Sequence, residues 1–322
     1  MGMRVSTERS GLQARDIAVR RGGRRVLGAA TLAVAPGEVV GLLGANGAGK
    51  STFIEVAAGL RVPDRGSVTI DGIPVGDRRA AARVGLAAQD TAVYPVLTAA
   101  ENLEAVARLY GARRAASRRR VAEVVEMLGL TAQATTRADR LSGGQRRRLH
   151  AGMALIHRPS VLFLDEPTVG SDVESRRRLL DLVGALAAEG VAIVYTTHYL
   201  PELEELNARI ALLHDGAIRS LGTVREVVDE WGSGRVALRL RNPQDAPLPP
   251  GWRREGDSLV RDARGSDLAR VLASGIDGLG AHAGEVVDVR VERSSLDVAY
   301  LRLRERAQAT GRRDEGDTHV AA

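Results

Sequence analysis

Gly44-Ala45-Asn46-Gly47-Ala48-Gly49-Lys50-Ser51-Thr52 sets a glycine, four residues, then Gly49, a lysine and a hydroxyl in a row. That spacing is the P-loop, a turn whose backbone N–H groups wrap a polyphosphate. The ammonium acts as a compact point charge on the β- and γ-phosphates, and the Ser51 hydroxyl is placed to ligate Mg²⁺. Lys50 is the single lysine among 46 basic residues. A composition that otherwise uses arginine keeps lysine where a broad, planar guanidinium is a poor substitute. The flanks fit the same unit. Glu38–Leu43 is the apolar run of a buried strand, and Ser51–Ala58 begins an amphipathic helix whose N-terminal dipole faces the anion. Strand, glycine turn and helix in this order predict an α/β fold that binds a nucleoside triphosphate.

Upstream, Ala14–Arg20 and Val26–Val34 are strand-like runs around Gly22-Gly23, and Gly66–Gly72 gives a further short β run. From Thr98 to Leu130 the period turns helical. Leu103, Val106, Ala107 and Tyr110 share one face, and Val121, Val124, Val125 and Leu128 another. Val161–Leu164 and Val191–Tyr195 are nearly pure apolar runs, the pattern of parallel strands covered on both faces. A helix over Ser175–Ala188 supplies their crossover. Composition shifts near Glu230: Trp231-Gly232-Ser233-Gly234 has the makings of a hinge, and Asn242-Pro243 through Gly251 is turn-rich. Beyond it, strands are predicted over Arg235–Leu240, Ser258–Arg261 and Glu285–Glu292, and helices over Asp267–Ala273 and Leu296–Arg306. We expect a nucleotide-binding domain over 12–230, an accessory α+β domain over 235–306 and a disordered polar tail over 307–322. No internal repeat is visible, so a single nucleotide unit is expected.

At 322 residues and 44% hydrophobic, the chain holds one large domain or one of ordinary size with an appendage. It has no cysteine, which excludes disulfides, cysteine zinc sites and thiol catalysis. Aromatics are 3%, so the core must be packed from Val, Leu and Ala. No stretch approaches the ~20 apolar residues of a membrane span, and the first residues lack the apolar centre of a signal peptide. A soluble chain is expected, acting on a membrane only through a separate partner. The net charge of +6 is spread out with little aromatic interleaving, so no nucleic-acid partner is expected.

A P-loop leaves many activities open, and the later motifs narrow them. Leu141-Ser142-Gly143-Gly144-Gln145 precedes a helical stretch and then Val161-Leu162-Phe163-Leu164-Asp165-Glu166. Ser142-Gly143-Gly144 at a helix start offers free N–H groups and a hydroxyl suited to a γ-phosphate. Asp165 at a strand's carboxyl end can hold Mg²⁺, and Glu166 beside it can polarise a water for in-line attack. Gln89 and His198 each follow an apolar run and carry little weight alone.

Together the P-loop, Gln89, Leu141–Gln145, Asp165-Glu166, Asp172 and His198 resemble the ordered motif set of ATP-binding cassette (ABC) transporter ATPases over residues 12–225. The resemblance implies a P-loop ATPase with a mainly parallel core sheet, an antiparallel β subdomain and a helical subdomain, followed here by a small C-terminal α+β appendage. It implies ATP and Mg²⁺ as ligands. Gly44 through Thr52, Gln89, Ser142, Gly143, Gly144, Gln145 and Asp172 would contact nucleotide, with Ser51, Gln89 and Asp165 on the metal. Lys50, Glu166 as base and His198 as γ-phosphate sensor would carry catalysis. Residues 142–145 would reach the ATP held by a second cassette, so a homodimer or paired cassette is expected. A separate integral membrane permease is expected too, with this chain peripheral at the cytoplasmic face of the membrane and contacting it through Asp90–Asn102.

Two departures stand out. Where the family stacks an aromatic ring on adenine, this chain has Arg21, and no Phe, Tyr or Trp occurs before Phe53. A looser grip on the base is expected. Ser171 replaces the more usual leucine before Asp172. Ser294–Arg304 is similar to the closing helix of daunorubicin-resistance-type exporter ATPases, which points to drug or antibiotic efflux. A lipid, polysaccharide or nutrient transporter shares every catalytic residue, and a non-transport cassette acting on ribosomes or DNA is the more distant alternative.

Overall fold

Alternating burial along residues 12–34 makes a hairpin of β1 (Leu12–Arg21) and β2 (Arg24–Val34), which turns at Gly22 and Gly23, both at positive φ. The chain is seen in a computed structural model that describes residues 10–263, 267–292, 295–303 and 305. The tail expected over 307–322 lies outside the described residues, as do Ser294 and Arg304 of the Ser294–Arg304 segment. After the hairpin come β3 (Val39–Leu43), α1 (Lys50–Ala57), β4 (Arg65–Ile70), β5 (Ile73–Pro74), α2 (Arg78–Ala81) and β6 (Val84–Ala87). Two helices, α3 (Ala99–Leu109) and α4 (Arg114–Met127), divide the long helical stretch at Gly111, whose φ is 81°. Then follow α5 (Gly143–Leu155), β7 (Val161–Asp165), α6 (Val173–Ala188), β8 (Ala192–Thr196), α7 (Pro201–Glu205), β9 (Arg209–His214) and β10 (Ala217–Thr223).

These strands form two sheets. The antiparallel one has the order β2-β1-β4-β5, and the larger one the order β10-β9-β3-β8-β7-β6. In the larger sheet β3 lies parallel to both β8 and β9, and β7 parallel to β6 and β8. One apolar cluster joins Leu12, Ile17 and Leu32 of the first sheet, Phe53, Ile54 and Val56 of α1, and Val40, Phe163 and Val194 of the second. The helix that starts at Lys50 is therefore held on both sides, and its N-terminus cannot drift from the end of β3. No described helix is long and apolar enough to cross a membrane.

His150 is buried on α5, and its pKa falls to about 4 because burial disfavours the charged ring, with Arg147 adding to the effect. An unfolded imidazole titrates near pH ~6.5, so between about pH 6.5 and 4 the unfolded chain binds the extra proton. Stability is complete above that window and falls as pH drops through it. Thermal melts at about pH 7 and pH 4.5 should show the loss, and His150→Gln should shrink the difference between them.

The chain divides into Met1–Leu221 and Gly222–Ala322. The second unit contains α8 (Val224–Trp231), β11 (Gly234–Leu240), β12 (Arg253–Glu255), β13 (Ser258–Ala263), α9 (Leu268–Leu279), β14 (Val286–Glu292) and a helical run over 296–303. Its sheet has the order β12-β13-β11-β14, all antiparallel. Val236, Leu238, Leu240 and Leu259 pack with Trp252 and with Leu268, Val271 and Leu279 of α9. Gly275 sits mid-helix because a Cβ there would stand 2.2 Å from the Trp252 ring. The helix predicted to end at Ala273 runs on to Leu279 for the sake of that contact, and the three-residue β12 escapes a reading based on alternation.

Candidate active site

Parallel pairing in the order β9-β3-β8-β7-β6 brings the carboxyl ends of five strands side by side. Open α/β sheets bind ligands at that edge. The P-loop follows β3, Gln89 follows β6, Asp165 ends β7 with Glu166 just past it, and His198 follows β8. Motifs far apart in sequence thus become neighbours.

The P-loop is shaped by its own glycines and by what surrounds it. Gly47 and Gly49 adopt φ of 76° and 106°, the left-handed region that side chains resist. A Cβ on Gly44 would stand 2.8 Å from the Leu213 carbonyl, and one on Gly49 3.1 Å from Val26 and Leu27. Ala48 N–H donates to Ala45 O and Phe53 N–H to Gly49 O, closing the turn onto α1. Ala45, Asn46, Gly47 and Ser51 are exposed, while Thr52 is buried beneath them. Lys50 Nζ donates to Gly44 O at 2.7 Å and Ala45 O at 3.3 Å. Burial lowers its pKa, and the carboxylates of Glu166 and then Asp165 pull the other way. Lys50 therefore lies in the field of both acids.

The acids are held by the neighbouring strands. Ser51 Oγ donates to Asp165 Oδ2 at 3.2 Å, and Thr196 Oγ1 donates to the other oxygen. Asp165 is paired in register with Thr196, which places that hydroxyl. Glu166 N–H donates back to Thr196 Oγ1 at 3.0 Å. Glu166 itself has φ 51°, an unusual backbone for a residue with a long side chain. Such conformations cluster where a side chain must be aimed. Gln89 Nε2 donates to Glu166 Oε2 at 3.0 Å, and His198 Nε2 lies 2.6 Å from Oε1. The His198 side chain is half exposed, whereas that of Glu166 is 11% exposed. Lys50, Ser51, Gln89, Asp165, Glu166 and His198 form one connected set. It presents a cation, a hydroxyl, two carboxylates and an imidazole at one sheet edge, enough to bind a phosphate chain and take a proton from water.

Ser142–Gln145 and Asp172 occupy a different place. Ser142 caps α5: its Oγ accepts from Gln145 N–H at 3.2 Å, and its N–H donates to Gln145 Oε1 at 2.9 Å. This reciprocal pair is a capping box. Asp172 caps α6 by accepting from Ser175 N–H and Ser175 Oγ. Those bonds, the backbone one foremost, hold its carboxyl below the usual carboxylate range. Gly144 faces that cap, since a Cβ there would stand 2.5 Å from Ser175 Oγ. The two helix N-termini are therefore locked against each other, with Ser142 and Gly143 exposed.

Sequence reasoning missed a buried cluster behind His198. Glu202 is 1% exposed and accepts from Thr168 Oγ1 at 2.7 Å, Thr197 Oγ1 at 2.8 Å and Tyr195 Oη at 2.9 Å. Arg176 lies 3.4 Å from it and stacks over the Tyr199 ring at 4.6 Å. Burial and the neighbouring Glu202 charge push the Tyr195 phenol well above its ordinary range, so it stays a donor. Thr197 and Tyr199 flank His198, and Thr168 lies two residues past Glu166. The acidic run Glu202–Glu205 was the one available signal, and it reads as a solvated helix face.

Residues 27–169 match the family model described as ABC transporter. The linearmycin resistance ATP-binding protein of Bacillus subtilis is 38% identical over 227 residues, covering 70% of this chain and 73% of that protein. A daunorubicin resistance ATP-binding protein of Streptomyces coeruleorubidus is 36% identical over 294 residues, covering 88% and 92%. The doxorubicin resistance ATP-binding protein of Mycobacterium tuberculosis is 34% identical, covering 83% and 85%. Among solved structures, an ATP-binding subunit of an ABC transporter superposes with a TM-score of 0.62 at 28% identity, over 68% of this chain and 92% of that one. A dimeric ATP-binding cassette with bound ADP and phosphate superposes with a TM-score of 0.59 at 26% identity, over 65% and 98%. The P-loop, the paired acids and these relatives converge: the chain belongs to the ABC transporter family, as an ATP-binding and ATP-hydrolysing subunit.

Proposed function

We propose that this chain powers drug or antibiotic efflux through a separate integral membrane permease, as one of two cassettes that close on ATP at the cytoplasmic face of the membrane. The observation that carries the cargo class is the reach of the resemblance. The daunorubicin-resistance relative aligns over 88% of this chain and so extends into the C-terminal unit, beyond the ATPase core that all transporter types share. Capture of the chain from native membranes, with the co-purifying integral protein identified, tests the partner. Loss of resistance to daunorubicin, doxorubicin or linearmycin on deletion tests the cargo. A membrane partner with no change in susceptibility to any drug would return the reading to lipid or nutrient transport.

In this reading the P-loop N–H groups and Lys50 bind the β- and γ-phosphates, and Lys50 exchanges its two carbonyl partners for phosphate oxygens. The oxygen donors fit a magnesium ion, which takes one or two carboxylates and completes its shell with phosphate and water. Ser51 Oγ and Asp165 Oδ2 stand 3.2 Å apart, and Gln89 turns its amide nitrogen to Glu166, leaving its oxygen for an ion. Mg²⁺ held there would offset phosphate charge. Glu166 takes the proton of the attacking water, and His198 orients that carboxylate and meets the γ-phosphate. Ser142–Gln145 of the second cassette complete the site across the seam. Tyr94 and Val96 are 50% and 65% exposed, on a loop pinned from below by buried Asn102, and supply the apolar contact to the permease.

The lone lysine offers a direct check on the nucleotide site. An amine-acylating reagent should mark Lys50 and the α-amino group, and saturating Mg-ATP should slow labelling of Lys50 by about 10- to 100-fold. Lys50→Arg should weaken ATP binding about tenfold or more, because a fork of donors does not replace a point charge inside the turn. Unprotected labelling would take Lys50 off the phosphates.

Arg21 bears on base choice. Its guanidinium lies 3.7 Å from Glu55 on α1 and is more than half exposed, beside the turn at Gly22-Gly23. With no ring to stack, ATP and GTP should bind with affinities within about threefold of each other. Arg21→Tyr should tighten ATP about fivefold, the scale of one stacked base. Calorimetry with both nucleotides measures it, and strong ATP preference in the unaltered chain would show that another group grips the adenine.

A further inference from the structure

Among the described residues the C-terminal sheet ends on β14, which pairs there with β11 alone. Half of the backbone N–H and C=O groups of such an edge strand face away from its neighbour, a template for another strand. Edges of this kind are usually blunted by charge, proline or a covering element. This one carries Val286-Val287-Asp288-Val289-Arg290-Val291-Glu292, with charge at three positions and a register shift at Val287, between the pairs Leu240–Val286 and Arg239–Asp288, and its regular stretch runs from Asp288 on. Val289 and Val291 stand opposite Leu238 and Val236, so they share the core face of the sheet. Their neighbours on β11 are fully buried under α9, yet Val287, Val289 and Val291 remain 45%, 42% and 43% exposed. Asp288 and Arg290 point to the other face, where Asp288 lies 3.4 Å from Arg290 and 3.8 Å from Arg239.

We propose that β14 pairs antiparallel with β14 of a second copy of this chain, about a two-fold axis at Val289, forming a continuous eight-stranded sheet across two C-terminal units. The register argument selects the occupant. Opposite residues in an antiparallel pair lie on the same face, so a self-pairing must be centred on a residue or the valine stripe is lost to the wrong face. Three centres set one valine of the stripe opposite a different one. Centring on Asp288 sets Asp288 against Asp288. Centring on Arg290 sets Arg290 against Arg290 and Asp288 against Glu292. Centring on Val289 sets Val287 against Val291 and Asp288 against Arg290, twice by symmetry, with opposite charges at both places. The edge is thus self-complementary in apolar stripe and in charge. A strand of another protein would need the same alternation to match it. This seam lies within the C-terminal unit and is independent of the nucleotide-dependent closure proposed above.

The test uses the full chain without nucleotide, at about 100 μM, by sedimentation velocity, because one strand pair is a small interface and its affinity is modest. The unaltered chain should sediment as a reversible dimer. Asp288→Arg places arginine against arginine, and Arg290→Asp places aspartate against aspartate, so each variant alone should associate about tenfold or more weakly. Mixed in equal amounts, the two restore opposite charges at both contacts and should dimerise again. A structural defect in either variant would not be cured by mixing. If a variant fails to fold, Val289→Cys decides: the chain has no other cysteine, and mild oxidation should link two copies in the absence of ATP. A monomer at this concentration, a dimer indifferent to both charge reversals, or variants that stay apart when mixed overturn the proposal.

Discussion

Glu166→Gln is expected to lower steady-state ATP hydrolysis by about 10²- to 10⁴-fold, the usual contribution of a positioned general base. Its effect on ATP affinity should be small. The amide has the shape of the carboxylate and can still accept from one of Gln89 and His198, which hold the two oxygens at 3.0 and 2.6 Å. It cannot take a proton from water. Lys50, Ser51 and the P-loop amides are untouched, so nucleotide binding stays. With closure retained and hydrolysis blocked, the two-cassette state should accumulate in Mg-ATP. Phosphate release, equilibrium nucleotide binding and size-exclusion chromatography read the three effects separately. Hydrolysis at the unaltered rate would remove Glu166 from the base role, and a monomer in saturating ATP would remove the sandwiched nucleotide.

Glu202→Ala is expected to cost about 2–4 kcal/mol of stability and, in the surviving folded protein, to lower kcat with little change in KM. Glu202 is a positioning residue, since it does not reach the reacting atoms. Its carboxylate gathers the hydroxyls of Thr168, Tyr195 and Thr197 and faces Arg176, binding the turn after Glu166 to the turn that carries His198. Truncation takes the shared acceptor from three buried hydroxyls, of which that of Thr197 keeps a contact at Tyr199, and leaves Arg176 without its carboxylate. The figure is kept below that of a fully buried ion pair because the Arg176 side chain is 31% exposed. The P-loop lies on β3 and α1, outside this cluster, which is why nucleotide affinity should survive. Glu202→Gln keeps the acceptor oxygen and should recover part of both losses. Denaturant unfolding and initial rates across ATP concentrations separate them. A full rate in a stable Glu202→Ala protein would reduce the cluster to core filling.

Much of this protein is legible because its signals are local. The P-loop needs Gly44, Gly47 and Gly49 for close approach and positive φ, and those demands are met within nine residues. The two apolar runs before Asp165 and Thr196 announce buried parallel strands, since both faces are covered. β6 was less visible: Val84–Ala87 is four residues long and includes Gly85, too short for a period to show. The helical period also overreached at Tyr110, which shares a face with Leu103 by spacing yet is 47% exposed, because α3 ends one residue earlier.

The chemical vocabulary of this chain, its turn for phosphates, its paired acids and its lone lysine, was set by residue identity and spacing alone, since each is a property of a few consecutive residues. Tertiary structure decided who meets whom. The strand order β9-β3-β8-β7-β6 brings Gln89, Glu166 and His198 within hydrogen-bonding distance across gaps of 77 and 32 residues. Burial turned Glu202 from one acid in a polar helix into the anchor of the His198 turn. The position of β14 at a sheet edge, rather than its pattern, left three valines uncovered. Spacing along a chain can specify a turn, but adjacency across a sheet depends on which strands pair, and that is settled only when the whole core packs.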